Sequence, residues 1–111
     1  MEIPQNGFYR HYKHNTEKGF NDYVYEVIGT ALHSEEKTYF VVYRPIYKNT
    51  YLTPANFSVR PLEMFLENVE INGKTMPRFE YITDEKLIVK LRKIRDEMYI
   101  KNSQPSKSNE N

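Results

Sequence analysis

Eight residues near the start of the chain, GFYRHYKH at 7–14, contain three aromatic side chains, two fixed cations and two histidines, and no acidic residue. An arginine presents a planar fork of N–H groups that matches phosphate or carboxylate, and a lysine adds a point charge. Aromatic rings beside such cations provide a face on which a base or another ring can stack. This composition is typical of a surface that binds a negatively charged ligand.

The predicted anion site combines this segment with residues from later parts of the chain. Its charged and polar members are Arg10, His11, Lys13, His33, Glu35, Arg60 and Arg78, and its aromatic members are Tyr9, Tyr43 and Phe57. Side chains alternate along a strand, so His11 should share a face with Tyr9, and Tyr12 should lie on the opposite face. In the alternative interpretation the rings only fill a core, and the cations are solvated or paired with nearby glutamates.

A second candidate chemistry is hydrolysis at the run His33-Ser34-Glu35. A base and a nucleophile that are neighbours in a turn rarely meet, and the chain has no G-x-S-x-G elbow. The histidines also lack the spacing of a metal motif such as H-E-x-x-H, and no Gly-rich phosphate loop is present. We therefore expect no metal, no cofactor and no catalytic residue, and a small hydrolase using His33 and Glu35 ranks below the other functions.

The overall charge does not indicate a nucleic-acid-binding protein, because the formal net charge is only +1. Nucleic acid stays an alternative partner because residues 86–95 contain five cations and no acid. A helix of this composition can track a phosphate backbone. It is also typical of a solvated face around an apolar stripe.

The length of 111 residues and the absence of cysteine predict a single domain that is stabilised by packing and not by disulfides. The opening MEIPQNGF does not resemble a secretory signal, and the longest uncharged apolar stretch, 39–43, is far shorter than the roughly 20 residues of a membrane helix. We expect a cytoplasmic protein (in the host cytoplasm if the gene belongs to a phage) with no membrane partner. A homo-oligomer is one option.

Short β-strands would position the candidate residues. Segments 23–33 (YVYEVIGTALH) and 38–44 (TYFVVYR) are rich in β-branched and aromatic residues and flank a turn, which predicts a hairpin. Gly29 indicates a bulge in the first of them. Further predictions are strands at 8–13 and 57–60, a helical turn at 61–66, and a hairpin at 69–79 around Asn72-Gly73. This pattern predicts a mainly β fold, a small antiparallel SH3-like barrel with a C-terminal helix.

The hydrophobic period becomes helical from Thr83, where Thr83 or Asp84 is placed to cap a helix. Its apolar stripe, which should close an open end of the barrel, consists of Leu87, Leu91, Ile94 and Met98, with Val89 and Ile100 on the opposite side. The predicted organisation is a barrel domain at 1–82, an amphipathic helix packed on it at 83–101 and a disordered tail at 102–111.

Several sequence blocks resemble those of a small bacterial family, the domain of unknown function number sixteen fifty-three. The blocks are YRHYK, YEVIGTALHSE, FVVYR, VRPLEMFLENVEINGK and PRFEYI, and they span about residues 7–82. The resemblance implies a compact β-rich domain and no established activity. The chain departs from the family at His14, which replaces a usual Gly, at Ser58, which replaces a usual Trp, and in the longer loops NTEKGFND and KNTYLTPANF.

Together these features predict a non-catalytic domain that binds an anionic small molecule or a nucleotide. A phage protein that sequesters a nucleotide signal of host defence would have this character. The alternative function is an interaction module for a protein or a nucleic acid, with the basic helix or an aromatic groove as its contact surface.

Overall fold

The computed structural model describes residues 1–47 and 57–101, without the side chains of residues 100 and 101. The strands of this part of the chain are β1 (Gly7–His11), β2 (Val24–Leu32), β3 (Tyr39–Pro45), β4 (Ser58–Pro61), β5 (Asn68–Ile71), β6 (Lys74–Pro77) and β7 (Phe79–Tyr81). Its helices are α1 (Leu62–Phe65) and α2 (Glu85–Arg95), with a 3-10 turn at Thr16–Lys18 and a π-helical segment at Asp96–Lys101.

The larger sheet has the antiparallel strand order β4-β3-β2-β1-β7, and the smaller sheet is the hairpin β5-β6. The register of β2 against β3 shifts between Val27 and Gly29, which confirms the predicted bulge. In the small hairpin, Asn72 has φ 52° and Gly73 has φ 79°, as a type I′ turn requires. The predicted hairpins are therefore present.

The larger sheet is open within the described residues, because its edge strands β4 and β7 do not pair with each other. The mainly β, antiparallel class with a C-terminal helix is thus confirmed, whereas closure into an SH3-like barrel is not. Both faces of the sheet carry buried apolar side chains, which pack against α1 on one face and against α2 on the other.

The first face of the sheet packs against α1, the single helical turn that the sequence predicts. The buried residues of this core are Tyr9, Val27, Val41, Tyr43, Leu62, Phe65 and Phe79. At its centre the rings of Phe65 and Phe79 stack, with 4.4 Å between centres and 5° between planes. Phe79 is thus packed within this core, and its ring also contacts residues of the candidate site described below.

The second face of the sheet is covered by α2. Asp84 caps this helix by accepting hydrogen bonds from two backbone N–H groups of the first turn. Leu91 is fully buried, whereas Val89 on the opposite side is 62% exposed, which confirms the predicted orientation. The rest of the stripe, Leu87, Ile94 and Met98, packs around the same core. The helix therefore packs on the second face of the sheet.

A buried carboxylate joins the sheet to the end of the helix. Glu26 on β2 is 8% exposed, and its two oxygens accept hydrogen bonds from Arg44 Nε at 3.0 Å and from Arg95 Nη1 at 2.8 Å. The Arg44 guanidinium lies 4.4 Å from the ring centre of Tyr99, whose hydroxyl donates to the carbonyl of Pro45. Both carboxylate oxygens are thus paired, as burial of a charge requires.

Some predictions lie outside the described residues, namely the disordered tail at 102–111 and the orientation of the Ile100 side chain. Within residues 1–47 and 57–101, no helix has the length and apolar character needed to span a membrane.

Candidate anion-binding site

Five rings form a closed series of contacts on the first sheet face, where β1 ends. The centres are 5.6 Å apart for His11 and Tyr23, 5.5 Å for Tyr23 and Tyr47, 5.6 Å for Tyr47 and Tyr25, 5.8 Å for Tyr25 and Phe79, and 5.1 Å for Phe79 and His11. We call these five residues the aromatic cluster. The hydroxyls of Tyr25 and Tyr47 share a hydrogen bond of 2.7 Å. Burial, followed by this bond, raises the pKa of Tyr25, so its phenol stays neutral.

Tyr23 enters the cluster through an unusual backbone conformation. Its φ is 52°, in the left-handed region that bulky side chains rarely adopt. In this conformation its carbonyl accepts the backbone N–H of His11 at 2.9 Å, and its ring meets the His11 ring edge-on. Such a conformation costs about 1–3 kcal/mol and persists only where the surroundings enforce it, commonly at functional sites.

Arg60 on β4 places its guanidinium 5.3 Å from the ring centre of Phe79. Its Nε is buried and has no hydrogen-bond partner, and no carboxylate in the described part of the chain forms an ion pair with it. An unsatisfied buried polar group costs about 1–3 kcal/mol. Within residues 1–47 and 57–101, this cation therefore has no acidic counter-ion.

Arg78 directly precedes Phe79 in the chain, and its charge is partly neutralised. Its Nη2 donates to Glu67 at 2.9 Å, while its Nε is buried without a partner. The guanidinium lies 5.9 Å from the ring centre of Tyr12, and that ring lies 4.6 Å from the ring of His11. A continuous series of contacts thus runs from Arg60 through Phe79 and His11 to Arg78.

The positive charges of Arg60 and Arg78 both act on the ring of His11. Burial, and then the charges of Arg60, Arg78 and Lys13, lower the pKa of His11 from 6.5 to about 4. Its Nδ1 accepts the backbone N–H of Lys13 at 3.1 Å, so the single proton of the neutral ring lies on Nε2. Near neutral pH, His11 is therefore a neutral N–H donor in a positive environment.

The lowered pKa of His11 predicts a pH dependence of stability. Because the folded value, about 4, lies below the unfolded value of 6.5, the unfolded chain binds more protons between these two pH values. The free energy of unfolding should therefore decrease as the pH falls through this window, and His11→Gln should remove that contribution. Urea unfolding of both proteins at several pH values measures it, and equal slopes would contradict the lowered pKa.

The structure brings together only part of the predicted site. The rings of Tyr12 and Phe79 both contact His11; Lys13 and Arg78 lie against the first ring and Arg60 against the second. Tyr43 is 5.4 Å from Tyr25 and 6.2 Å from Phe79 between ring centres. Tyr9 is in the core instead, where burial raises its pKa to about 12 and its hydroxyl donates to the carbonyl of Gln5. The remaining candidates, Arg10, His33, Glu35 and Phe57, are placed elsewhere.

Each of these outlying residues has a local setting. Arg10 pairs with Glu80 at 3.6 Å, and Phe57 lies beside the guanidinium of Arg44. His33 and Glu35 are in the exposed β2–β3 turn, which extends beyond the pairing of β1 with β2. The alternative interpretation has the cations either solvated or paired with glutamates. Such pairs form at Arg10 and at Arg78, whereas Arg60 has no acidic partner among the described residues.

The sequence interpretation did not include Tyr23, Tyr25 and Tyr47 in the site. The alternation of Tyr23 and Tyr25 along one strand was a usable signal for the first two. Tyr12 was expected on the face of the strand opposite to His11. Instead, β1 ends at His11, and in the turn that follows the ring of Tyr12 contacts the ring of His11. Within the described residues, no group of three or more potential ligands is placed to hold a metal ion.

Comparison with known proteins identifies the family. The model of the family described as "Protein of unknown function (DUF1653)" matches residues 7–81. A crystal structure of a DUF1653 protein from Bordetella bronchiseptica is similar to this chain, with a TM-score of 0.57 and 30% sequence identity over 71% of this chain and 87% of that one. A search of curated proteins finds no match. The chain therefore belongs to the DUF1653 family, as its ordered sequence blocks predict.

Proposed function

We propose that this protein is a non-catalytic domain that binds an anionic small molecule or a nucleotide at the aromatic cluster. The observation that carries the proposal is Arg60, a guanidinium against Phe79 with a buried, unpaired Nε and no acidic partner in the described residues. Arginine side chains have several rotatable bonds, so a ligand oxygen can pair with this group after a small shift. The ligand then supplies the missing counter-ion.

The surroundings of Arg60 support recognition of an anion. The neutral ring of His11 can donate a hydrogen bond from its Nε2–H to an anion. The guanidinium of Arg78 provides further N–H donors. Charge-assisted hydrogen bonds contribute about 1.5–3 kcal/mol each, less the cost of desolvation. By contrast, His33 Nδ1 accepts the backbone N–H of Glu36, and no hydrogen bond among the described residues joins it to Glu35. This arrangement favours binding over the hydrolase alternative.

Native mass spectrometry of the protein purified from its own host, before and after denaturation, tests the proposal. We expect a retained anionic compound, which Arg60→Gln should lose and Arg92→Gln should keep. Arg92 is a matched control because it is an exposed arginine of α2, which packs on the other face of the sheet. Titration with the released compound should show about 10- to 100-fold weaker binding for Arg60→Gln, equivalent to one charge-assisted hydrogen bond. Equal retention by both variants would contradict the proposal.

A specific observation also supports the interaction-module alternative. Lys90 Nζ on α2 lies 5.3 Å from the ring centre of Phe20, which is 40% exposed, and Val89 beside it is 62% exposed. This surface belongs to the segment of five cations at 86–95. Binding of nucleic acid there should weaken steeply as the salt concentration rises, and it should be insensitive to Arg60→Gln.

A further inference from the structure

The charge at the candidate site narrows the class of anion. Three fixed cations lie against rings that contact His11: Arg60 against Phe79, and Arg78 and Lys13 against Tyr12. Among the described residues one carboxylate, that of Glu67 on Arg78, pairs with these cations, which leaves about two positive charges uncompensated. A phosphate monoester carries about −1.5 to −2 near neutral pH, with three terminal oxygens that accept hydrogen bonds. A carboxylate or a phosphodiester carries a single charge and matches the site less well.

The donors also suit a monoester. The donors come from three different elements: the guanidinium of Arg60 from β4, that of Arg78 from the residue before β7, and the Nε2–H of His11 from the end of β1. Arginine forks match the geometry of phosphate oxygens. An anion held among these groups would offset the two guanidinium charges, and its binding should raise the pKa of His11 from the low value that they impose.

Tyr12 lies between the proposed phosphate position and a neighbouring cavity. Its ring contacts His11 on one side, and it also lines a cavity of about 240 Å³. The cavity is lined by Arg10, Tyr12, His14, Met76, Pro77 and Glu80. Tyrosine, histidine and proline offer flat surfaces to a planar ring, and the arginine and glutamate offer polar groups to its edge. A ligand that places a phosphate beside His11 can therefore place a ring here.

We infer that the ligand is a phosphate monoester of a planar ring system, of which a nucleoside monophosphate is the simplest probe, with its phosphate between Arg60 and Arg78 and its ring in the cavity beside Tyr12. This inference rests on the proposed function and narrows it. The probes are adenosine monophosphate, cyclic adenosine monophosphate, ribose phosphate and adenosine. Each is titrated into the intact protein, with affinity measured by calorimetry and the His11 ring observed by NMR.

Adenosine monophosphate should bind at least about tenfold more tightly than the cyclic diester, and adenosine should be weaker still. Ribose phosphate should bind about tenfold more weakly than adenosine monophosphate because it lacks the ring. Met76→Trp fills the cavity and should weaken adenosine monophosphate about tenfold without affecting ribose phosphate. Ile71→Trp is the matched control, because Ile71 lies on the same hairpin, is 39% exposed and does not line the cavity.

The outcomes separate the inference from the function on which it rests. If the cyclic diester binds as well as the monoester and Arg60→Gln abolishes both, the monoester assignment is overturned and anion binding stands. If ribose phosphate equals adenosine monophosphate and Met76→Trp has no effect, the position of the ring is overturned. If no probe binds and the compound retained in mass spectrometry is independent of Arg60, the inference and the proposed function both fail.

Discussion

Replacing Glu26 with alanine is expected to lower the free energy of unfolding by about 3–5 kcal/mol, because it leaves the largely buried Arg44 guanidinium without its counter-ion and leaves Arg95 with Asp96 alone, at 2.8 Å. The side chains of Arg44 and Arg95 are only 14% and 23% exposed, and each bonds one oxygen of Glu26. Small domains have total stabilities of about 5–15 kcal/mol. Urea unfolding followed by circular dichroism should therefore show a much lower midpoint for Glu26→Ala, with part of the variant unfolded without denaturant.

Glu80→Ala is the matched control for this substitution. Glu80 also pairs with an arginine of the same sheet, Arg10, but at 3.6 Å and with a side chain that is 61% exposed. Ion pairs of this exposed kind contribute less than about 1 kcal/mol. Equal losses for Glu26→Ala and Glu80→Ala would show that burial of the Glu26 network does not determine its contribution.

The second large effect is expected at Phe79, which supports both the core and the site. Phe79 is 6% exposed, stacks on Phe65 and carries the guanidinium of Arg60 over its ring. Truncation of a buried phenylalanine costs about 3–5 kcal/mol, so Phe79→Ala should be strongly destabilised in urea unfolding. The same substitution at Phe57, which is 46% exposed, should cost far less.

Phe79→Leu separates the two roles of this residue. Leucine keeps most of the buried apolar volume, so we expect a smaller loss of stability than for Phe79→Ala. It removes the ring that faces Arg60 and closes the aromatic cluster, so ligand binding should decrease by about 0.5–2 kcal/mol, the contribution of one cation–π contact. A leucine variant that binds like the wild type would show that the ring does not position Arg60.

The local elements of this protein were determined by the sequence alone. The Asn72-Gly73 turn, the bulge at Gly29 and the Asp84 cap each depend on a few neighbouring residues whose backbone preferences do not require the rest of the fold. The orientation of α2 was equally predictable, because the helical period places Leu91 and Val89 on opposite sides. The ordered sequence blocks were also sufficient to identify the family.

Tertiary structure decided which candidates meet. Arg60 and His11 are far apart in the chain, and both contact the ring of Phe79 because β4, β1 and β7 belong to one sheet. Likewise, nothing local to Glu26 indicates that Arg95 is its partner, since their contact depends on how α2 crosses the sheet. Hydrophobic period specifies the face on which a residue lies, but distance across the fold depends on strand order and on the packing of layers, which no short segment encodes.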